Sequence, residues 1–136
     1  MTSQKPQAIT LVVVGAHLTG MPLNRELVEL GASFIRAADT APIYKLYELA
    51  GTSPKKPGLL RVGPDEGAAI AVELWSLTPE AFGLFVAAIP SPLGIGTLQL
   101  DDGSAAKGFL VEAIAVRDAL DITQYGGWRQ FRAAVA

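Results

Sequence analysis

The sequence predicts an α+β fold in which a curled sheet or small β-barrel carries flanking helices. Segments of strand character outnumber helical ones, about six or seven against two or three. Short turns join most of the strands, so hairpins outnumber βαβ crossovers. The 14 glycines and 9 prolines of this 136-residue chain fall between apolar segments, where they act as turns. With 50% hydrophobic and 18% charged residues, the chain suits one domain spanning residues 1–136.

The elements follow in order. Ile9–Val14 is a β-branched run and the first strand, ending at Gly15. A short helix is expected next, with Asn24 as its N-cap, Glu26 in its first turn and Gly31 just beyond its end. Leu27 and Leu30 share one face of it. Ser33–Ala38 reads as a strand. Tyr44–Leu49 reads as another with apolar residues on both faces, a hint of a self-association surface and hence of a homodimer. Gly51–Pro57 is a loop and Gly58–Val62 a short strand. The turn Gly63-Pro64-Asp65-Glu66-Gly67 leads into a long strand, Ala68–Leu77, and the two strands are expected to pair as a hairpin.

Thr78-Pro79-Glu80 is the strongest helix start in the chain: a cap, proline at the first helical position, and an acid in the first turn. Phe82, Phe85, Val86 and Ile89 recur at helical spacing, and Pro90 ends the run. Thr97–Leu100 and Lys107–Val116 read as strands joined by a turn at Asp101-Asp102-Gly103. The tail from Asp121 to Val135 carries Tyr125-Gly126-Gly127-Trp128 before a helical segment, with Trp128 as the buried anchor.

Composition excludes several functions. The net charge is −2 and the pI about 5.3, and the 11 basic residues are scattered, so nucleic acid is not an expected partner. Lys55-Lys56 reads as a solvated loop tip. With 0 cysteines there is no disulfide, thiolate nucleophile or cysteine metal site. A single histidine without an acidic cluster gives no metal site. No apolar run reaches the roughly 20 residues of a membrane helix. Met1–Gln7 lacks an apolar targeting core. These features fit a cytoplasmic protein with no membrane partner.

The stretch richest in chemistry is Leu11–Asn24, LVVVGAHLTGMPLN. A buried strand that ends in glycine permits a sharp turn, and such a turn can aim several backbone N–H groups into one concavity suited to an anion. His17, the only histidine, sits at its lip and titrates near neutrality. The bland reading is a hydrogen-bonded core or surface histidine.

The motifs GAHLTGMPLN (Gly15–Asn24), TAPIYKLY (Thr40–Tyr47), ELW (Glu73–Trp75), IPSPLGIGTLQLDDG (Ile89–Gly103), KGFLVEA (Lys107–Ala113) and DITQYGGWRQF (Asp121–Phe131) together resemble the C-terminal domain of allophanate hydrolase. That domain is similar to the γ-glutamyl cyclotransferase superfamily. The resemblance implies a γ-glutamyl cyclotransferase-like fold, a small mixed β-barrel flanked by helices. The superfamily's first-strand loop corresponds to Val14-Gly15-Ala16-His17-Leu18, which lacks its tyrosine. Its acidic general base is expected near Val86–Pro90, where none stands. These departures argue against cyclisation of γ-glutamyl substrates. Nothing resembles the Gly/Ser-rich amidase segment of allophanate hydrolase, so a free-standing relative that does not hydrolyse allophanate is expected.

The resemblance also implies a reaction: loss of CO2 from N-carboxycarbamate, a small dianion, with no metal or organic cofactor. Such a step needs an acid and an anion cradle. His17 is the proposed proton donor. The amides of Gly15, Ala16 and Leu18 would hold a carboxylate. Lys107 would pair with the second charge and the Tyr44 hydroxyl would orient the substrate. Ile95 and Gly96 would supply a dry wall. Against these stand plainer roles: backbone geometry for Gly15, core packing for one of Tyr44 and Tyr47, solvation for Lys107, and a structural pair between Glu73 and Lys107. The alternative function is a non-catalytic module that binds a small carboxylate or docks a separate amidase. A cyclotransferase-like lyase on another amine-bearing acid is a third reading.

Overall fold

The β-branched run Ile9–Val13 becomes β1, the middle strand of a five-stranded sheet, in a computed structural model that describes residues 7–136. Leu11, Val12 and Val13 are each 0% exposed, as a strand apolar on both faces requires. The sheet order is β2-β5-β1-β7-β6, with β2 Ser33–Asp39, β5 Ala71–Leu77, β6 Leu93–Gln99 and β7 Ala105–Val111. β1 runs antiparallel to β5 and parallel to β7. A three-stranded sheet, β4-β3-β8, comprises β3 Tyr44–Glu48, β4 Pro57–Arg61 and β8 Leu120–Asp121. The sheets meet where β4 passes β7, and a Cβ added to Gly58 would lie 2.8 Å from Val111.

Three helices flank the sheets: α1 Asn24–Glu29, α2 Pro79–Ala87 and α3 Trp128–Val135. Thr78 caps α2, its side chain accepting from the Ala81 N–H, with Pro79 in the first turn. Gly31, at φ +78°, ends α1 in the left-handed conformation that glycine adopts without a Cβ penalty. Trp128 is 2% exposed and pins α3 to the core beside Phe131.

Several expectations need correction. The fold is α+β with mixed sheets, but the described strands form no closed barrel: β2 and β6 end the larger sheet and β3, β4 and β8 form another. The hairpin of the Gly58–Val62 and Ala68–Leu77 segments does not form. β4 pairs with β3, while β5 lies between β1 and β2, where its buried residues are covered. The strand from Lys107 ends at Val111, paired with Leu93 at the start of β6; beyond that partner the chain turns into a 3₁₀ helix, Ala113–Val116. Asn24 is the first helical residue rather than the cap, because its side chain is used elsewhere. In β3, Tyr44 and Leu46 are 0% exposed, so one face of that strand is covered within the chain. The reading of the stretch before Gln7 lies outside the described residues. No helix among the described residues is long and apolar enough to cross a membrane.

Candidate active site

The turn after β1 is built by its own backbone. The Leu18 N–H donates to Gly15 O at 3.0 Å, the Met21 N–H to Leu18 O at 2.9 Å, and the Leu23 N–H to Ala16 O at 2.8 Å. Asn24 Nδ2 donates to His17 O at 2.8 Å, tying the start of α1 to the turn. Gly15 lies against the loop leading into β4, and a Cβ there would sit 2.3 Å from Pro57 Cδ. That close approach brings Lys56, the neighbour of Pro57, to the histidine.

His17 stacks on Phe109 with centroids 5.2 Å apart and meets the edge of Phe85 at 5.0 Å. Its Nε2 lies 2.7 Å from Glu26 Oε1. Burial pushes the imidazole pKa below its ordinary 6.5; the hydrogen bond and charge of Glu26 oppose that, and the charge of Lys56 adds to it. Burial outweighs the ion pair. A neutral ring that donates its Nε2–H to the carboxylate satisfies the same geometry.

The ring opens onto a cleft of about 330 Å³. Its walls are mainly apolar, from Leu23, Leu30, Phe85, Ile89, Leu93 and Phe109, and its charged groups are Glu26, Glu29 and Lys56. Ala88, Ile89 and Pro90 form part of the apolar wall, and the carboxylates lining the cleft come from α1. A small adjoining hollow is lined by Gly15, Ala16, His17 and Lys56. Among the described residues no group of three or more His, Cys, Asp or Glu could hold a metal.

The structure thus brings together His17, Gly15 and Ala16, and disperses the other expected site residues. The Leu18 amide is consumed by the turn, and Leu18 is 3% exposed. Tyr44 is 0% exposed, and its hydroxyl accepts from the Gln99 N–H at 2.9 Å, so it braces the core. Lys107 Nζ donates to Thr97 Oγ1 at 2.9 Å beside Ile9 and Thr10, away from the cleft. Ile95 and Gly96 line a different surface hollow, with Leu110 and Glu112. Glu73 does not pair with Lys107; its partners are Thr19, Trp75 and Arg129. Glu26, Lys56, Phe85 and Phe109 are the cleft residues that sequence reasoning missed. The signal for Glu26 was its place on the helix after the turn, and for Lys56 the Lys-Pro-Gly run opposite a glycine turn.

The chain carries a mixed sheet with a ligand-sized cleft at the turn after its first strand. A mouse AIG2-like protein shares this fold, with a TM-score of 0.60 at 15% identity over 80% of this chain and 79% of that one. The chain belongs to the allophanate hydrolase C-terminal domain family, whose model matches residues 9–133.

Urea amidolyase of Lachancea kluyveri is 41% identical over 127 residues, 91% of this chain and 7% of that protein. Allophanate hydrolase of Kluyveromyces lactis superposes with a TM-score of 0.92 at 37% identity, over 96% of this chain and 22% of that one. The structure of c4763, a uropathogenic E. coli-specific protein, gives a TM-score of 0.86 at 30% identity, over 93% of this chain and 97% of that one. The chain therefore spans 7% of the length of the curated relatives it matches.

Proposed function

We propose that this protein decarboxylates N-carboxycarbamate, or a similar small carbamate-type acid, using side chains alone. The observation that carries the reading is the His17–Glu26 pair, held between Phe85 and Phe109 at the head of a cleft with Lys56 on its wall. Family membership supplies the substrate class.

The chemistry follows from these groups. Lys56 pairs with one carboxylate of the dianion. The other faces the apolar wall, where an unpaired charge is costly and neutral CO2 is not. With Nε2–H engaged by Glu26, protonated His17 gives the proton on Nδ1 to the carbamate nitrogen. The C–N bond to the unpaired carboxylate then breaks. Its electron pair stays on nitrogen, the carboxylate carbon leaves as CO2, and carbamate remains. Glu26 holds the ring and stabilises the imidazolium before transfer, and solvent returns the proton. An amide-hydrolysing step must supply the substrate, so an amidase is the partner this reading requires.

The test is CO2 release from N-carboxycarbamate generated in place by an amidase acting on allophanate. The wild-type protein should accelerate release, and His17→Gln should lower kcat/KM by about a hundredfold to ten-thousandfold, the range of one general acid. Release at the spontaneous rate with wild-type protein rejects catalysis. Saturable binding of a small dicarboxylate without turnover would replace it with the non-catalytic binding reading.

A further inference from the structure

Glu73 is a carboxylate in the middle of β5, 6% exposed, and no step of the proposed reaction uses it. Its register partner is Val13, the last residue of β1 before the His17 turn. Oε1 accepts from the Thr19 N–H at 2.8 Å, the Thr19 hydroxyl at 2.9 Å and Trp75 Nε1 at 3.2 Å. Oε2 faces the Arg129 guanidinium at 3.4 Å, and the same guanidinium donates to Thr19 O. Both backbone polar groups of Thr19, two residues beyond His17, are therefore held by side chains.

The far end of this arrangement is anchored to the core. Arg129 follows Trp128, which is 2% exposed, and the Ala71 N–H at the start of β5 donates to Gly126 O at 2.8 Å. α3 is thus joined to the strand that carries Glu73. A buried charge gains little stability over an apolar residue of the same size, because desolvation offsets the attraction. What this one supplies is direction: besides its near neighbour Trp75, its donors Thr19 and Arg129 lie 54 and 56 residues away along the chain.

We infer that Glu73 and Arg129 are positioning residues, a clamp through which the tail helix holds the His17 turn in register with the cleft. Neither touches the cleft; both act through Thr19. The consequence for turnover rests on the decarboxylation reading, whereas the consequence for the imidazole does not.

Glu73→Gln keeps the volume and the oxygen that accepts from Thr19 and Trp75, but turns an amide nitrogen toward Arg129. Arg129→Met cuts the same link from a side chain that is 48% exposed, so it decides the matter if Glu73→Gln fails to fold. Thr19→Ser keeps both donors and serves as the conservative control. The first readout is NMR titration of the only imidazole, whose charged neighbours Glu26, Glu29 and Lys56 are unchanged. In Glu73→Gln and Arg129→Met the turn should loosen, the ring should leave its aromatic seat, and its titration should move up toward 6.5. Thr19→Ser should titrate like wild type.

The second readout is kinetic: kcat should fall about tenfold to a hundredfold with KM nearly unchanged, as for a misplaced proton donor. Folded Glu73→Gln and Arg129→Met proteins whose His17 titrates as in the wild type would overturn the clamp. Because the titration needs no substrate, absence of turnover in the wild type bears on the proposed function alone.

Discussion

Nε2 of His17 and Oε1 of Glu26 lie 2.7 Å apart, joining the turn after β1 to the helix that follows it. The histidine side chain is 13% exposed and the glutamate 47%, so the pair has a dry end and a wet end. Glu26→Gln keeps a hydrogen-bond acceptor but removes the charge that favours the imidazolium. The His17 titration should therefore move further below 6.5, and turnover near neutral pH should fall several-fold, in the sense of a weakened ion pair. NMR titration and initial rates check both.

Activity should rise as pH falls. Burial holds the His17 pKa below 6.5, so at neutral pH most chains carry the neutral ring, which is the poorer acid. The enzymatic excess over the spontaneous reaction should grow as pH drops toward the folded-state pKa and level off beneath it. Subtracting the rates of His17→Gln at each pH isolates this dependence.

Stability should respond to the same group with a fixed sign. In the unfolded chain His17 protonates near 6.5, and in the folded chain only at lower pH. Between those values the unfolded state binds a proton that the folded state does not. Stability is then full above about pH 6.5, declines as pH falls through the window, and stops declining below the folded pKa. Urea midpoints across this range should show the decline in the wild type and lose it in His17→Gln.

Local signals carried well and distant ones did not. The Thr78-Pro79-Glu80 start and the Gly31 stop depend on neighbouring residues, and both were legible. The turn with His17 was legible because it follows directly from an apolar strand ending in glycine. The cation was misplaced because Lys56 reaches the site only when the Pro57 loop closes on Gly15, a contact between segments about forty residues apart. The partners of Glu73 were misplaced for the same reason: Arg129 arrives only when the tail helix docks. The hairpin expected before β5 failed because a local turn cannot outweigh a strand whose residues must be buried between β1 and β2.

Trp128 provides the main anchorage of that tail, at 2% exposure, with Arg132 over its ring at 5.6 Å. Trp128→Ala removes most of a large buried surface and leaves a cavity, which should cost about 3–5 kcal/mol. Denaturant unfolding should show that loss. Phe131, against which Trp128 packs, should show a smaller one, since the smaller side chain leaves the smaller void.

Lys56 and Lys107 give the sharpest separation between the two placements of the anion partner. Lys56 lines both the cleft and the small hollow beside His17, while Lys107 is bonded to Thr97 in a separate hollow with Ile9 and Thr10. Lys56→Met keeps the aliphatic stem and removes the charge, so a dianion loses its only ammonium partner among the lining residues. KM should rise about tenfold or more, the scale of one hydrogen bond to a charged group, and the imidazole should titrate higher, because Lys56 holds its pKa down. Lys107→Met, altering an exposed pair with a threonine hydroxyl, should leave KM and the His17 titration at their wild-type values. The reverse pattern, with KM sensitive to Lys107 and indifferent to Lys56, would move the anion site out of this cleft altogether.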